Sequence, residues 1–254
     1  MDLANPEKRR MSVFSELKML YHLAVAPVRG DTHAARLENF YNRQAQGYDA
    51  FRRRLLHGRA ELNRAIIPPP GATWLDIGGG TGENLEHLGD RLPLLQGLWV
   101  IDLSESLLQV ASERIARHNW TNVHVLRADA TSFAFPCPGG ADVITFSYSL
   151  SMIPDWCAAL EHARQLLKPG GIIGVVDFFV SHKHPAPDRR KHGWFTRTFW
   201  PTWFAADNVF LSPAPLDWLT RKFQTLRLQE LQSRVPYLPL GKVPYFQFMG
   251  RKLG

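Results

Sequence analysis

A short glycine-rich segment is the first place in this chain where residue types and spacing indicate chemistry. Residues 78–82 read Gly-Gly-Gly-Thr-Gly and follow an apolar run at residues 74–77, Trp-Leu-Asp-Ile. A ligand can approach the backbone of such a loop without meeting a Cβ, and a helix that follows presents free N–H groups to an anion. The dinucleotide pattern G-x-G-x-x-G fails, because Glu83 and Leu85 stand where its last glycine is required. A ligand other than a dinucleotide is therefore expected.

The same loop resembles motif I of class I S-adenosylmethionine (SAM) methyltransferases, in which Gly-x-Gly-x-Gly follows an apolar strand that carries an acid, here Asp76. Two further acids fit this resemblance. Asp102 lies 22 residues after Gly80, at the end of a second apolar run, where an acid can accept hydrogen bonds from both ribose hydroxyls. Asp129 follows a third run and suits the adenine amino group. The alternative is that the glycines only form a tight turn and that both acids are surface caps.

The resemblance implies that SAM is the cofactor and that residues at or near strand ends bind it. These residues are Asp76, Gly78, Gly80, Thr81, Gly82, Asp102, Leu103, Ser104, Asp129, Ala130 and Ser147. The carboxylate of SAM is expected to face the backbone of residues 80–82.

The elements that must position these residues are short apolar runs that alternate along the chain with amphipathic segments. Strands are predicted at Thr73–Ile77, Leu98–Leu103, Val123–Arg127, Asp142–Tyr148 and Ile172–Val180, and helices at Glu83–Leu92, Glu105–Arg117 and Asp155–Leu167. A turn is predicted at residues 168–171, and an antiparallel hairpin at Thr225–Leu231 and Tyr245–Arg251. This alternation predicts an α/β fold, a Rossmann-like class I methyltransferase with a mostly parallel seven-stranded sheet.

The chain divides at Pro68–Gly71, which ends a helical region. Residues 1–70 are predicted to form an N-terminal helical segment that covers the active site, because apolar residues recur there at helical spacing. Residues 71–254 form the predicted SAM-binding domain. An aromatic insertion at residues 181–215, after the fifth strand, is expected to serve the substrate or the membrane.

Composition narrows the class of protein. The chain has 254 residues, 45% of them hydrophobic and 21% charged, which suits one large globular domain. Cys137 and Cys157 form no CxxC pair, so a reducing, cytoplasmic setting is expected. Glu16 and Lys18 interrupt the apolar run near the N-terminus, which predicts an amphipathic helix rather than a membrane span. The net charge of +7 suits nucleic acid, anionic lipid or an acidic substrate.

The segment after the fourth predicted strand argues against a nucleic-acid partner. Residues 147–154 read Ser-Tyr-Ser-Leu-Ser-Met-Ile-Pro. Amide N-methyltransferases that act on nucleobases or glutamine commonly carry Asn/Asp-Pro-Pro-Tyr/Phe at this place, and this chain does not. No nucleic-acid partner is therefore expected, despite the basic charge.

Longer segments resemble one family of lipid-modifying enzymes. They are residues 41–49 (YNRQAQGYD), 52–59 (RRRLLHGR), 147–154, 175–178 (VVDF), 194–204, 207–213, 234–239 and 243–245. Together they are similar to the bacterial betaine-lipid N-methyltransferases and to the corresponding half of the fused betaine-lipid synthases of fungi and algae, over nearly the whole chain beyond about residue 14. The resemblance implies three methylations of diacylglycerylhomoserine to diacylglyceryl-N,N,N-trimethylhomoserine. It also implies a lipid substrate at the membrane surface and a separate enzyme that supplies it.

Tyr148 and Asp177 are the catalytic candidates. Methyl transfer from a sulfonium is an in-line displacement, so the enzyme mainly positions and desolvates the reactants. An α-amino pKa of roughly 8 leaves a neutral fraction near pH 7, and no strong base is required. Tyr148, Asp177 or a backbone carbonyl is expected to orient the amine and to receive its proton, with Tyr148 the first choice.

The charges of the implied substrate suggest residues that bind it. A quaternary ammonium favours aromatic faces, for which the candidates are Tyr48, Tyr148, Trp194, Trp200 and Trp203. The substrate carboxylate favours an arginine fork, and Arg52 and Arg59 lie seven residues apart on one helix face.

Simpler interpretations stay open. The six aromatics of residues 194–204 could form a small satellite core, although their number and basic flanks favour insertion into a membrane interface. His182, His184 and His192 are interpreted as solvated loop residues, so no metal is expected. The chain could also methylate another small molecule or RNA, or bind SAM at a membrane without catalysis. The favoured hypothesis is a cytoplasmic enzyme bound peripherally to the inner surface of the membrane.

Overall fold

The structure of the chain, a computed structural model, describes residues 55–206, 208–234 and 241–254. Within them, one sheet contains the strands β1 (Thr73–Ile77), β2 (Gly97–Asp102), β3 (Val123–Arg127), β4 (Ala141–Ser147), β5 (Leu167–Phe178), β6 (Gln224–Arg234) and β7 (Lys242–Arg251). Their order is β3-β2-β1-β4-β5-β7-β6. Strands β1 to β5 pair in parallel, and β7 pairs antiparallel with both β5 and β6. The predicted mostly parallel sheet with an antiparallel C-terminal hairpin is confirmed.

The helices of the described residues cover this sheet. They are α1 (Arg59–Ala65), α2 (Glu105–His118), α3 (Trp156–Leu166), α4 (Trp194–Ala205) and α5 (Ala214–Lys222). Ser104 caps α2 by accepting a hydrogen bond from the N–H of Leu107, and Asp155 caps α3 by accepting one from Ala158. These caps fix the loops after β2 and β4, where predicted site residues lie. No helix in the described ranges has the length and apolar character to span a bilayer.

The predicted helix Glu83–Leu92 is wrong. Two short 3-10 helices, Glu83–His87 and Gly89–Leu94, occupy this stretch. Gly89 adopts a left-handed φ of +53° at their junction, and Pro93 has no N–H to donate within a longer helix. The segment after the glycine loop therefore does not present the N-terminus of a full α-helix.

Strand β5 begins earlier than predicted, because residues 168–171 join the ladder instead of forming a turn before it. Gly170 N donates to Lys252 O, and Lys252 N donates to Gly171 O, each at 2.9 Å. The last residues of the chain thus extend the sheet alongside β5. The strand also ends earlier, at Phe178.

Both faces of the central strands of the sheet are buried, whereas the edge strands β3 and β6 are largely exposed or half-buried. Trp74 of β1 packs on one face in a cluster that includes Leu62 and Ile66 from the α1 region. Leu75 points to the opposite face, in a second cluster with Ile144. Because successive side chains of a strand point to opposite faces, β1 contributes to both cores. This double burial makes the sheet a rigid base for the loops at its carboxyl edge.

The residues just before α1 are attached to β7. Gly58 adopts a φ of +87°, and its carbonyl accepts a hydrogen bond from Gln247 Nε2 at 2.8 Å. A Cβ on Gly58 would lie 2.6 Å from that nitrogen, so glycine is required for the contact. The predicted site residues Tyr48 and Arg52, with the rest of residues 1–54, lie outside the described residues.

Candidate active site

A cavity of about 420 Å³ opens at the carboxyl edge of β1, β2, β3 and β4. The predicted site residues that line it are Gly78, Gly80, Asp102, Leu103, Asp129, Ala130 and Tyr148. Open parallel sheets bind ligands at this edge, beside the point where the strand order reverses, here between β1 and β4. The volume lies within the roughly 300–1,000 Å³ of small-molecule sites. The cavity is therefore the candidate active site.

The glycine loop forms one wall of the cavity with a backbone that glycine adopts readily. Gly78, Gly80 and Gly82 have φ angles of +67°, +57° and +67°. Gly78 N donates to Ile101 O at 2.7 Å, which attaches the loop to β2. A Cβ on Gly78 would lie 2.3 Å from the Cβ of Ser149, well inside van der Waals contact. The loop thus brings bare backbone to the edge of the cavity.

Two carboxylates line the cavity at the ends of neighbouring strands. Asp102 Oδ2 accepts a hydrogen bond from Gly80 N, and its Oδ1 accepts one from Ser104 N, both at 2.9 Å. Asp129 Oδ1 accepts from the N–H and the hydroxyl of Thr131, at 2.8 and 2.7 Å. Charge-assisted bonds of this kind fix the position of a carboxylate before a ligand arrives.

The other predicted cofactor residues lie beside the cavity without lining it: Asp76, Thr81, Gly82, Ser104 and Ser147. Asp76 is buried, and its carboxylate accepts hydrogen bonds from Thr145 Oγ1 at 2.8 Å and Asn84 Nδ2 at 3.0 Å. Burial raises the pKa of Asp76, and these two donors oppose the rise. Asp76 therefore supports the glycine loop by joining β1 to β4 and to the segment after the loop.

Sequence reasoning singled out residues 147–154 but assigned only Ser147 and Tyr148 to the site, and it missed the rest of the cavity wall that follows β4. Met152, Ile153 and Pro154 line the cavity, together with Ser149, Asp155 and Ala158. A 3-10 turn at Leu150–Met152 carries the chain along this wall. The sequence feature that could have predicted this wall is the apolar run within residues 150–154, which begins shortly after a strand end. Such a run provides an apolar surface for a flat ring.

Tyr148 lines the cavity in an unusual conformation. Its φ is +55°, which is uncommon for a residue with a Cβ. The hydroxyl donates to His57 O at 2.6 Å, and the ring packs 4.5 Å from that of Phe178. Burial, assisted by the nearby charge of Asp177, raises the pKa of Tyr148 well above its usual range. The hydroxyl is therefore a neutral group that holds the chain before α1 next to the cavity.

Asp177 lies behind the cavity wall and does not line it. Its Oδ1 accepts hydrogen bonds from Ser151 Oγ at 2.6 Å and Phe178 N at 2.7 Å, and its Oδ2 accepts one from Ser151 N at 3.0 Å. Burial raises the pKa of Asp177 from its ordinary value of 3.8 to about 6, although these donors favour the charged form. In this position Asp177 anchors the loop after β4.

The raised pKa of Asp177 predicts a pH-dependent stability. Because the folded state holds this proton more tightly, the free energy of unfolding should fall as pH rises from about 4 to about 6, by up to about 3 kcal/mol from this residue. Asp177→Asn removes the titration and keeps the side-chain volume. Urea unfolding of both proteins across this range should show the wild type losing stability relative to the variant. A difference that stays constant with pH would contradict the assignment.

The remaining predicted substrate residues in the described ranges do not line the cavity. Arg59 is buried and pairs with Glu83, with 3.0 Å between Nη1 and Oε2. Trp200 is buried with its ring 5.8 Å from that of Phe204. Trp194 and Trp203 are exposed on α4. The structure thus places these aromatic residues in two different environments, one packed and one at the surface.

The interpretation of His192 as a solvated residue is wrong. His192 is buried, and its Nδ1 accepts a hydrogen bond from Ser181 N at 3.0 Å because the insertion folds back on the end of β5. His182 is exposed and lies 2.6 Å from an oxygen of Asp217, while His184 is exposed. In the part of the chain that the structure describes, no group of three side chains could hold a metal ion.

Comparison with known proteins identifies the family. A family model described as a methyltransferase domain matches residues 42–225, which include every residue that lines the cavity. The chain belongs to this methyltransferase family. Its SAM-dependent class, inferred above from the glycine loop and two acids, is thereby confirmed.

The methyltransferase is similar to curated relatives over part of their length. It is 37% identical over 111 residues to the ubiquinone/menaquinone biosynthesis C-methyltransferase of Vibrio parahaemolyticus, and 32% identical over 143 residues to the nocamycin O-methyltransferase of Saccharothrix syringae. The matches cover 43% and 55% of this chain, and the chain spans 42% and 48% of the length of these relatives. Since one is a C-methyltransferase and the other an O-methyltransferase, they leave the methylated atom open.

Solved structures share the fold of the methyltransferase. Phosphoethanolamine N-methyltransferase 2 of Haemonchus contortus, in complex with S-adenosyl-L-methionine, gives a TM-score of 0.64 at 16% identity, over 85% of this chain and 60% of that chain. N-methyltransferase NodS of Bradyrhizobium japonicum gives a TM-score of 0.57 at 16% identity, over 82% of this chain and 99% of that chain. At such low identity the likeness concerns the fold alone.

S-adenosylmethionine is the cofactor of this methyltransferase, and the cavity suits it chemically. The glycine loop allows an extended ligand to approach the backbone. Asp102 and Asp129 offer acceptors for hydroxyl and amino groups, and Leu103 and Ile153 offer an apolar wall for a flat ring.

Proposed function

We propose that this methyltransferase transfers methyl groups to the amino nitrogen of diacylglycerylhomoserine, in three steps that give diacylglyceryl-N,N,N-trimethylhomoserine. The resemblance of most of the chain to betaine-lipid N-methyltransferases supports this lipid. A series of packed aromatic rings beside the cavity is the structural observation that supports it best. In this proposal a separate enzyme supplies the lipid amine, and the methyltransferase acts as a peripheral protein on the cytoplasmic side of the membrane.

The aromatic series begins at Tyr148 and leads into α4. Ring centroids are 4.5 Å apart between Tyr148 and Phe178, 4.8 Å between Phe178 and Phe204, and 5.8 Å between Phe204 and Trp200. A quaternary ammonium is attracted to aromatic faces. A carboxylate in the position of Tyr148 would instead stabilise the protonated, unreactive form of the substrate amine. Tyr148 is the ring of this series that lines the cavity, and the rings behind it hold it in place, so an amine that ends as a permanent cation would meet the aromatic face of Tyr148.

The two sides of the cavity take different parts of the reaction in this proposal. Asp102 accepts hydrogen bonds from the ribose hydroxyls, Asp129 accepts one from the adenine amino group, and the glycine loop faces the carboxylate of the cofactor. The methyl acceptor then enters on the side of Tyr148. This division follows from the positions of the side chains, because Asp102 ends β2 and Asp129 follows β3, whereas Tyr148 follows β4.

The residues of this chain need only orient the nucleophile. When bound, S-adenosylmethionine supplies an electrophilic methyl group on a positively charged sulfur. Tyr148 Oη, which donates to His57 O, retains lone pairs that can accept an N–H of the primary or secondary amine and so aim the nitrogen lone pair in the first two methylations. The tertiary amine has no N–H, so the third methylation does not use this contact. The nitrogen loses one proton after each of the first two methylations, and none after the third. With an α-amino pKa of roughly 8, water can take these protons.

Turnover with the lipid amine tests the proposal. The enzyme, SAM and diacylglycerylhomoserine in detergent micelles should give mono-, di- and trimethylated products in succession by mass spectrometry. Tyr148→Phe keeps the aromatic ring, so SAM affinity should persist while turnover falls roughly ten- to hundredfold and the monomethylated intermediate accumulates. Trimethyl product at the wild-type rate in this variant would exclude the orienting role. A wild type that ignores the lipid would remove the betaine-lipid assignment.

A second candidate is methyl transfer to carbon in a ubiquinone or menaquinone precursor. The identity of 37% over 111 residues to a C-methyltransferase of that biosynthesis favours it. The two candidates differ in the product, because only the amine gains a fixed positive charge at the third methylation. Offering both acceptors in one reaction with labelled SAM, followed by lipid extraction, shows which of them takes the label.

A further inference from the structure

An aromatic ridge runs along the outer side of α4. It consists of Phe195, Phe199 and Trp203, which recur at every fourth position of the helix. The rings of Phe195 and Phe199 stack with centroids 5.1 Å apart at 10°, and those of Phe199 and Trp203 are 5.6 Å apart. Phe195 is 64% exposed and Trp203 is 41% exposed. The ridge therefore presents large apolar rings to the outside of the molecule.

Core packing accounts for Phe199, which packs against buried Trp200, but not for the exposed rings of Phe195 and Trp203. The opposite side of α4 already anchors the helix, since Trp200 and Phe204 are buried and Phe204 packs on Phe178. Trp194, at the start of the helix, is also exposed, and so is Phe210 just after it. A surface helix normally has one apolar side, and a contiguous apolar patch on the other side marks an interaction surface.

The basic residues near the ridge indicate that its partner is negatively charged. Residues 189–206 contain the basic residues Arg189, Arg190, Lys191 and Arg197 and no acid, and one aspartate stands just outside each end of this range, at positions 188 and 207. Arg189 pairs with Glu230, whereas Arg190 and Lys191 are exposed immediately before α4. Aromatic rings beside exposed basic residues suit the interface of an anionic bilayer, where rings sit at the headgroup level and cations meet anionic lipid.

We infer that the aromatic ridge of α4, flanked by Trp194 and Phe210, docks on an anionic lipid surface. Docking there brings the cavity to the lipid, because the exposed segment is tied to the cavity wall. Phe210 N donates to Ser151 O at 2.7 Å, and Ser151 belongs to the loop after β4. The inference relies on the proposed function only for the lipid nature of the substrate.

Vesicle binding tests the docking surface without any methyl transfer. The wild type should sediment with phosphatidylcholine vesicles that contain phosphatidylglycerol, less with phosphatidylcholine alone, and less as salt is raised. The double variant Phe195→Ser/Trp203→Ser should lower the partition coefficient at least about tenfold. Lys191→Ala should lower it about fivefold. The matched control is Leu94→Ser, which removes an exposed apolar side chain at the amino edge of the sheet and should bind as the wild type does.

Each outcome decides the inference. Equal binding by the ridge variant and the Leu94→Ser control, with both shown to be folded by thermal unfolding, would overturn it. A second result would also overturn it, namely a wild type that forms dimers and does not bind vesicles, together with a ridge variant that is monomeric. The ridge would then contact a second copy of the chain. Because neither SAM nor an amine is present, vesicle binding can succeed even if diacylglycerylhomoserine proves not to be the substrate.

Discussion

Replacing Asp102 with alanine should weaken SAM binding roughly ten- to hundredfold while the protein stays folded, since a lost charge-assisted bond is worth about 1.5–3 kcal/mol. The carboxylate lines the cavity and is held by the N–H groups of Gly80 and Ser104. Isothermal titration measures the affinity, and urea unfolding confirms the fold. Asp90→Ala is the matched control, because it removes an exposed carboxylate from the amino side of the sheet.

The same variant separates a direct contact from an indirect effect through the glycine loop. If Asp102 meets the ribose, the wild type should prefer S-adenosylhomocysteine over its 2′,3′-dideoxy analogue, and Asp102→Ala should lose that preference. A double-mutant cycle of this kind isolates the interaction between the two groups. Should the variant keep the preference while binding both ligands weakly, Asp102 would act only through Gly80 N.

The cofactor side of the cavity was predictable because it depends on local signals. Apolar runs locate the strands, the strand ends share one edge of the sheet, and a glycine loop or an acid at such an end must lie there. Asp102 is thus found at the last position of β2, and Asp129 shortly after β3. The helix after the glycine loop was predicted wrongly because one residue, Gly89, with its left-handed backbone, breaks an otherwise helical pattern.

The substrate side was less predictable because it depends on contacts between distant elements. Arg59 was assigned to a substrate carboxylate, yet it meets Glu83, which no periodicity in the sequence links to it. Trp200 and Trp203 lie three residues apart on α4, but one is buried and the other exposed. A helix with aromatic residues on both sides gives no hydrophobic pattern that distinguishes core from surface. Only packing against Phe178 decides which side faces inward.

Gly78→Ala should destabilise the protein and weaken SAM binding together, through one collision. The added Cβ would lie 2.3 Å from Ser149 Cβ, and Ser149 lines the cavity. Overpacking of this kind costs about 1–3 kcal/mol beyond the backbone strain of about 1–2 kcal/mol for a side chain at positive φ. Urea unfolding measures the first effect, and isothermal titration with SAM measures the second.

Two further variants separate the steric clash with Ser149 from the backbone strain of a side chain at positive φ. Gly71 has a similar φ of +73°, but a Cβ added there would have no atom within 4 Å, so Gly71→Ala should show the strain alone and keep SAM affinity. Adding Ser149→Gly to Gly78→Ala removes the Cβ that is struck, but Ser149→Gly alone also loses the hydrogen bond that Ser149 Oγ donates to Ile77 O. Gly78→Ala should therefore cost less stability when it is introduced into Ser149→Gly than when it is introduced into the wild type. If Gly78→Ala costs as much stability in Ser149→Gly as in the wild type, the Cβ of Ser149 does not exclude a side chain at Gly78, and the loop does not need its glycine for room beside Ser149.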